Sequence, residues 1–426
     1  MLLQGGLFTR DWLAEGVVEA PEWGEGPDPA LSEQITALVR ATAGRSNPNE
    51  AETERELIYP VLERLGWRHL SVQQNMSAKG RSDVPDALLF LDGESADAAA
   101  RREPSARFEL GACLVEAKRW GAPLDRAGDR QQLQAPSTQL MHYLRRADDV
   151  TGGKLRWGIL TNGRIWRLYW QGALSIAEDF LEIDLAKATG VEPPDLLDAS
   201  GPGPEHVLRL FVLLFGRAAF IRSEAGTTLH QRALLAGRQW EARVAADLSD
   251  VVFDRVFPAL VRALPLADPA RPADIDSAYL EAVRTGALIL LYRLLFVLYA
   301  EDRNLLPDEH GPYKAYALTA LRHEIAEKRA GNVAFSDRMA LIWPRLSGIF
   351  TAIAHGDDSL GIPPYNGGLF ARDAAPILAR VHLPDSIMAD ILFRLSHAPG
   401  TPRPHYINYR DLSVQQLGSI YESILE

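Results

Sequence analysis

The sequence contains one cysteine, Cys113, in 426 residues. A single thiol excludes an intramolecular disulfide framework and a cysteine-rich zinc site, and it indicates a reducing compartment, the cytoplasm. No secretory leader is expected, because Met1–Arg10 has neither a basic start nor a long apolar run. The most apolar stretch, Ala287–Ala300, is interrupted by Arg293 and is shorter than the ~20 residues of a membrane span, so it predicts a buried core helix.

Basic charge is also scarce. Lys and Arg number 45 against 56 Asp and Glu, and the net charge of −11 argues against a protein that binds nucleic acid over its whole surface. Positive charge is concentrated in Arg101–Trp170, which has 13 basic and 7 acidic residues, a net of +6 that leaves −17 for the remainder. This segment is compatible with one surface that faces a polyanion, and equally with chance.

The overall composition is that of an ordinary globular protein. Hydrophobic residues make up 47% and charged residues 24%, which excludes a largely disordered, collagen-like or coiled-coil chain. At about 100–200 residues per domain, we expect two or three domains. Four prolines and two glycines in Val191–Glu205 predict an interdomain linker. The resulting division is an irregular segment at 1–30, an α/β domain at 31–190, the linker at 191–205 and a mainly helical domain at 206–426.

Local patterns in residues 31–190 predict the order helix, strands, helix, strands. Asn47–Glu50 is typical of a helix cap, and the apolar stripe that follows contains Pro60 and ends at Gly66. Asn162-Gly163 predicts a β-hairpin with a type I′ turn, which needs a positive φ twice. The predicted strands are Pro85–Leu91, Leu110–Ala117, Leu155–Thr161, Arg164–Trp170 and Phe180–Leu185, and the second helix is Gln131–Arg146, with Pro136 as a candidate for its first turn.

Three residues in this half form a pattern with chemical meaning. Pro85-Asp86 begins one apolar strand, and Glu116-Ala117-Lys118 ends the next. Side chains alternate along a strand, so Glu116 and Lys118 share a face. Carboxylates from adjacent strand ends can bind a hard cation such as Mg²⁺, which activates water, and a lysine stabilises developing negative charge. A strand-end Lys–Glu pair is also common as a surface salt bridge, and only the order of the surrounding elements favours a site.

With Asp86 and Glu116-x-Lys118 in this order and strand context, the segment resembles the PD-(D/E)XK nuclease fold. The resemblance implies a mixed-sheet nuclease domain that hydrolyses phosphodiester bonds in double-stranded DNA, with Mg²⁺ held by Asp86 and Glu116. Asp83 is a competing ligand, but it precedes the apolar run, so Asp86 is preferred. The fold class expected for the whole chain is therefore α/β plus mainly α.

The same resemblance implies further residues on two helices. An acidic residue is expected on the helix that precedes the strands; Glu50 is the choice for this accessory metal ligand and Glu54 is its rival. A glutamine is expected on the helix that follows, where Gln139 would help to position the water or the metal shell.

The C-terminal half extends the resemblance. Leu291–Pro307, Tyr365–Phe370 and Leu412–Glu426 look like the helical region before the methyltransferase in type IIG-like restriction–modification enzymes and related phage-defence methyltransferases. This implies a connector beside methyltransferase and target-recognition domains, in cis or in trans. S-adenosylmethionine would serve only that methyltransferase, because this sequence has no glycine-rich donor loop and Pro363-Pro364-Tyr365 follows Ile362 where Asn or Asp belongs. We expect the front portion of a longer enzyme, or one subunit of a split enzyme.

Two hypotheses about function follow. The first is a Mg²⁺-dependent restriction endonuclease domain joined to a helical connector. The second is a non-catalytic module in which the same fold binds DNA or a partner beside a methyltransferase, as the acidic net charge suggests. A further possibility is that the chain is inactive until the missing domains are supplied.

Overall fold

The computed structural model divides the chain into two compact units, Met1–Arg238 and Gln239–Glu426. The division lies within one long helix and not in the proline-rich segment at 191–205 where the sequence predicts it. The structure describes residues 2–25, 28–73, 76, 84–126, 134–173, 175–194, 201–303, 305–307, 311–365, 367–397, 406–412, 416 and 418.

The described part of the first unit contains one mixed sheet of seven strands, in the order β1-β7-β6-β5-β4-β3-β2. Neighbouring strands run antiparallel except β4 and β5, which run parallel and are joined through a helix. This mixed sheet confirms the predicted α/β class for the unit. The strands are β1 (Leu3–Gln4), β2 (His69–Val72), β3 (Ala87–Phe90), β4 (Cys113–Ala117), β5 (Trp157–Thr161), β6 (Ile165–Trp170) and β7 (Phe180–Asp184).

Helices cover both faces of this sheet. The first two, α1 (Arg10–Ala14) and α2 (Pro21–Glu25), lie with β1 in the segment that the sequence predicts to be irregular. Because β1 pairs with β7, this segment is part of the folded unit. The other helices of the unit are α3 (Pro29–Ala43), α4 (Glu50–Thr53), α5 (Tyr59–Arg64), α6 (Gly93–Ala100), α7 (Pro136–Thr151), α8 (Leu185–Ala188), α9 (Pro204–Phe215) and α10 (Leu229–Val251), the last of which continues into the second unit.

The helix that begins at Glu50 forms as its sequence predicts. Asn49 caps it: its side chain accepts a hydrogen bond from the backbone of Glu52 at 2.9 Å, and the Glu52 side chain accepts one from the Asn49 backbone at 2.9 Å. The apolar stripe of this helix packs into the core, where burial of each side chain contributes about 1.5–3 kcal/mol. Gly66, with a φ of 89°, follows the last helical turn.

Alternation along the strands separates the two faces of the sheet. Ala87, Leu89 and Val115 point to the core formed with α5 and α9. Leu88 and Leu114 point to the opposite face, which α7 covers. The polar residues at the ends of β3 and β4 belong to this second face, because they follow the same alternation.

The hairpin predicted at Asn162-Gly163 is confirmed, but its turn is not type I′. Of these two residues only Gly163 has a positive φ, 79°. The side chain of Asn162 accepts hydrogen bonds from the backbone of Arg164 and of Ile165, so its amide side chain closes the turn. The β-rich runs before and after the turn pair as β5 and β6.

The helix after the proline-rich segment belongs to the first unit. The indole of Trp67 donates to the carbonyl of Phe215 at 2.9 Å, and the guanidinium of Arg217 donates to the carbonyl of Leu91 at 2.6 Å. The apolar face of α9 is buried in the same core as β3 and β4. Proline and glycine content therefore does not mark the boundary of this unit.

The described part of the second unit is mainly helical, as predicted. Its helices enclose one apolar core. The buried carboxylate of Glu301 accepts hydrogen bonds from the backbone of Leu318 and of Thr319 and so caps the start of α13. The helices are α11 (Phe257–Ala267), α12 (Ser277–Asp302), α13 (Leu318–Ala330), α14 (Ile342–His355) and α15 (Asp385–Ser396).

Helix α12 is the one membrane-span candidate among the described residues. It passes by length and composition alone, and 61% of its most apolar 18-residue window is buried within the protein. We interpret it as the core helix that the sequence predicts. The amphipathic helix predicted at Leu412–Glu426 falls almost entirely outside the described residues.

Candidate active site

The strand register brings Asp86 and Glu116 together. Ala87 of β3 pairs with Val115 of β4 in antiparallel register, so the preceding Asp86 lies opposite Glu116. Residues that face each other across an antiparallel pair point to the same side of the sheet, with Cβ atoms about 4.5–5.5 Å apart. Two carboxyl groups therefore meet on the face that α7 covers.

Lys118 completes this strand-end group. Its Nζ donates to Oε1 of Glu116 at 2.6 Å and to the carbonyl of Ala117 at 2.9 Å. Strand β4 also holds Asp86 in place, because the Oδ2 atom of Asp86 accepts a hydrogen bond from the backbone N–H of Ala117 at 2.7 Å. Glu116 and Lys118 are almost entirely buried, with 1% and 6% of their surfaces exposed. The pair is therefore not a surface salt bridge.

The start of the Glu50 helix docks on the end of β4. The hydroxyl of Thr53 accepts a hydrogen bond from the backbone of Trp120 at 3.1 Å. The carboxylate of Glu50 is hydrogen-bonded by the backbone of Arg119, the residue after Lys118. Glu54, one turn further along, accepts from the hydroxyl of Tyr59 at 3.0 Å. The structure thus brings both candidate accessory acids to the strand ends.

Gln139 approaches from the opposite helix. It lies in the first turns of α7, and its amide nitrogen donates to the hydroxyl of Tyr143 at 2.8 Å. The charges of Glu116, Asp86 and Lys118 all act on Tyr143, which places that tyrosine beside the carboxyl groups. The hydrogen bond of Gln139 is therefore to a tyrosine at the edge of the group and not to a carboxylate.

The carboxyl groups perturb one another. Burial, and then the charge of Asp86, raise the pKa of Glu116 to about 8, although Lys118 opposes the shift. Burial likewise raises the pKa values of Asp86, Glu50 and Glu54. Burial alone would lower the pKa of Lys118, but the surrounding carboxylates, Glu116 first, raise it overall. One ammonium group thus faces four carboxyl groups, and a cation would relieve their repulsion.

A divalent cation fits the donors that are present. Oε2 of Glu116 is buried and has no hydrogen-bond partner, a costly condition that an oxygen-coordinated cation would remove. Asp86 accepts from Ala117 through Oδ2, which leaves Oδ1 as the second donor oxygen among the described contacts. Within the described residues, no three His, Cys, Asp or Glu side chains are already arranged around a metal position. Such a site suits Mg²⁺, which keeps several of its waters and binds few carboxylates directly.

An ion-pair cluster lies on the same face beyond β5. The guanidinium of Arg167 binds both oxygens of Asp125, at 2.6 and 2.7 Å, and Oε2 of Glu182 at 2.5 Å. Asp125 belongs to the loop that continues from β4, so this cluster anchors the loop to the sheet. A groove of about 280 Å³ opens between that loop and the β5–β6 hairpin.

Sequence patterns assign no role to two tyrosines of the site, Tyr59 and Tyr143. Tyr143 follows Gln139 by four residues, a helical spacing that places both on one face, so the sequence does contain a signal for it. Tyr59 follows Glu54 by five residues, and in a regular helix two side chains at that spacing point in different directions. Asp83, the alternative to Asp86, falls outside the described residues.

Comparison with known proteins adds no assignment. No family model, curated protein or solved structure matches this chain.

Proposed function

We propose that the first unit is a Mg²⁺-dependent DNA endonuclease with a PD-(D/E)XK-like site. The observation that supports this most directly is the meeting of Asp86, Glu116 and Lys118 on one face, with a buried Glu116 oxygen that lacks a partner. The second unit is then the connector, and methyltransferase and target-recognition domains would be its partners in cis or in trans.

The proposed reaction is hydrolysis of a phosphodiester bond in double-stranded DNA. Water adds to phosphorus, one P–O bond breaks, and the leaving alkoxide takes up a proton. Asp86 and Glu116 would hold the cation, with Glu50 as the accessory acid. Bound Mg²⁺ would lower the pKa of a coordinated water and neutralise charge on the phosphate. Lys118 supplies a fixed positive charge beside the two carboxyl groups that would hold the cation. Gln139 and Tyr143 lie at the edge of this group.

Exposed basic side chains near the site support a polyanionic substrate. Arg119 directly follows Lys118 in the chain, and Arg126 directly follows Asp125, which Arg167 binds; both are exposed. Much of the remaining positive charge of the Arg101–Trp170 segment is taken up by ion pairs within the protein. The proposed DNA contacts are therefore local, as the negative net charge requires.

The test is plasmid cleavage by the full chain with Mg²⁺ and Mn²⁺. Glu116→Ala and Lys118→Ala are expected to abolish nicking while the circular dichroism spectrum stays that of the wild type. Glu109→Ala and Lys154→Ala are the matched controls, because Glu109 and Lys154 form an exposed pair at 3.4 Å in the same unit. Nicking that persists in both site variants would refute the assignment.

A second candidate is a non-catalytic module that binds DNA or a partner. The near-complete burial of Glu116 and Lys118 favours it, because a substrate phosphate must reach these side chains. DNA binding that needs no metal, with no nicking over several divalent ions and no Mg²⁺ binding by titration calorimetry, would support this candidate. Calorimetry separates it from a nuclease that needs other domains, since such a nuclease still binds Mg²⁺.

A further inference from the structure

The helix that carries Glu50 and Glu54 contains an irregular turn. Residues Glu54–Ile58 form a π-turn, in which the backbone N–H of Tyr59 donates to the carbonyl of Glu54, five residues earlier. Pro60 explains the turn, because proline has no N–H for the helix ladder and its ring clashes with the carbonyl four residues before it. The sequence predicts a lost hydrogen bond or a kink there, and the helix instead widens by one residue.

The same backbone device occurs in the second unit. Residues Val252–Val256 form a π-turn closed by the N–H of Phe257, and Pro258 follows. There the two residues brought into line, Val252 and Phe257, are apolar. A proline directly after the residue that closes the turn therefore explains the π-turn in both units. It does not explain why the two aligned residues of the first unit, Glu54 and Tyr59, are polar.

In the first unit the π-turn aligns Tyr59 with Glu54. Residues five apart lie about 140° apart around a regular helix, whereas the widened turn stacks them. The tyrosine hydroxyl donates to Oε2 of Glu54 at 3.0 Å. The negative charges of Glu54, Asp86 and Glu116 all act on the half-buried Tyr59, which places the pair beside the strand-end carboxyl groups.

We propose that Tyr59 is a positioning residue that holds Glu54 against the strand-end group, so that Glu54 binds the waters of a hydrated divalent cation in addition to Glu50. The inference rests on the proposed function. A glutamate side chain has several rotatable bonds, and a hydrogen bond to one oxygen removes much of that freedom. Oε1 of Glu54 is left to accept from a cation-bound water. Partners that orient metal ligands in this way typically contribute about 10–100-fold in metal affinity.

The experiment is isothermal titration of the full chain with Mg²⁺ alone and with Mn²⁺ alone. Tyr59→Phe is expected to weaken binding by about tenfold. Glu54→Asp keeps the charge but shortens the side chain away from Tyr59, and the same loss is expected. If Tyr59 acts through Glu54, then adding Tyr59→Phe to Glu54→Ala, which removes the acceptor, has no further effect on affinity. Tyr279→Phe is the matched control, because Tyr279 donates to Asp268 at 3.0 Å in the other unit.

The outcomes separate this inference from the function on which it rests. Wild-type affinity in Tyr59→Phe and Glu54→Asp, together with no binding in Glu116→Ala, overturns the inference and leaves the nuclease proposal standing. Equal losses from Tyr59→Phe in the wild-type and Glu54→Ala backgrounds also overturn it, because the tyrosine then acts by another route. Unchanged Mg²⁺ binding in Glu116→Ala contradicts the nuclease proposal itself.

Discussion

Asp86 and Glu116 lie opposite each other at the open ends of β3 and β4, and the backbone between Glu116 and Lys118 holds Asp86 in place. The bond from the Ala117 N–H uses one oxygen of Asp86 and orients the other. A short stretch of β4 therefore supplies a carboxyl group, an ammonium group and the support for a second carboxyl group.

Cation binding should depend on pH through Glu116. Burial raises its pKa to about 8, so protons compete with the cation for this carboxyl group around neutral pH. Mg²⁺ affinity should therefore rise as the pH increases from 6 to 8, with release of protons. Titration calorimetry in buffers of different ionisation enthalpy measures that release, and absence of proton release would contradict the raised pKa.

The same group should make the metal-free protein less stable at high pH. Because the folded pKa lies above the ordinary 4.5, the folded state binds the extra proton, and this contribution is lost as the pH rises towards 8. Glu116→Gln cannot lose the proton. Its melting temperature relative to the wild type should increase between pH 5 and pH 9 in EDTA, and a pH-independent difference would contradict the raised pKa.

Removing Arg167 should destabilise the first unit strongly. Arg167→Met leaves the buried Glu182 without its cation, which costs about 3–5 kcal/mol. Asp125→Asn breaks the outer half of the cluster, but 65% of the Asp125 side chain is exposed, so a loss below about 1 kcal/mol is expected. Urea unfolding of both variants measures the difference, and equal losses would show that burial does not set the cost.

His230 should make the protein sensitive to acid. Burial lowers its pKa to about 4, and the ring packs near Phe8, Trp157 and Phe220. The folded state therefore resists protonation, and stability is lost as the pH falls from 6.5 towards 4, by up to roughly 3 kcal/mol. His230→Leu should be less stable at pH 7 and should lose less stability than the wild type between pH 7 and pH 4. If the stability of His230→Leu and that of the wild type fall in parallel between pH 7 and pH 4, this histidine is not the cause of the acid sensitivity.

Phosphate contact is expected from Arg119. Arg119→Ala should weaken DNA binding about equally for all sequences and reduce the slope of log affinity against log salt by roughly 1. Arg40→Ala is the control, because Arg40 is exposed on α3 in the same unit. Fluorescence anisotropy at several salt concentrations, with Ca²⁺ in place of Mg²⁺, gives both quantities; identical slopes for both variants would exclude a contact at Arg119.

The limits of the first unit can be tested with fragments. A chain that ends at residue 190 lacks α9, whose apolar face packs in the sheet core, and we expect it to aggregate or remain unfolded. A chain that ends at residue 251 keeps α9 and all of α10, and we expect a cooperative thermal transition. A folded 1–190 fragment would contradict the assignment of α9 to this unit.

The strand-end part of the site could be predicted from the sequence because side chains along a strand alternate between its two faces. Glu116 and Lys118 are two residues apart, so any strand places them on one face. Glu50 and Glu54 are both candidates from the sequence because they are one helical turn apart, and the structure brings both to the strand ends. Local spacing was sufficient in each case.

Features that depend on packing or on backbone irregularity could not be predicted. Tyr59 meets Glu54 only because Pro60 induces a π-turn, and five-residue spacing gives no such signal in a regular helix. The strands β1 and β2 have two and four residues, too few for a clear alternation. The unit boundary differs from the predicted linker because α9 joins the sheet core through contacts distant in sequence, which the proline content before it does not indicate.

Among the described strands, β4 and β5 alone run parallel, and their connection has a consequence for evolution of the protein. Parallel neighbours cannot be joined by a tight turn, so the chain must leave the end of β4 and return over the sheet before β5 begins. Here that return path includes α7, which covers the face of the sheet on which Glu116 lies. Insertions within residues 119–126, where the chain leaves β4, would therefore change the loop that borders the groove, while the strand ends stay in register.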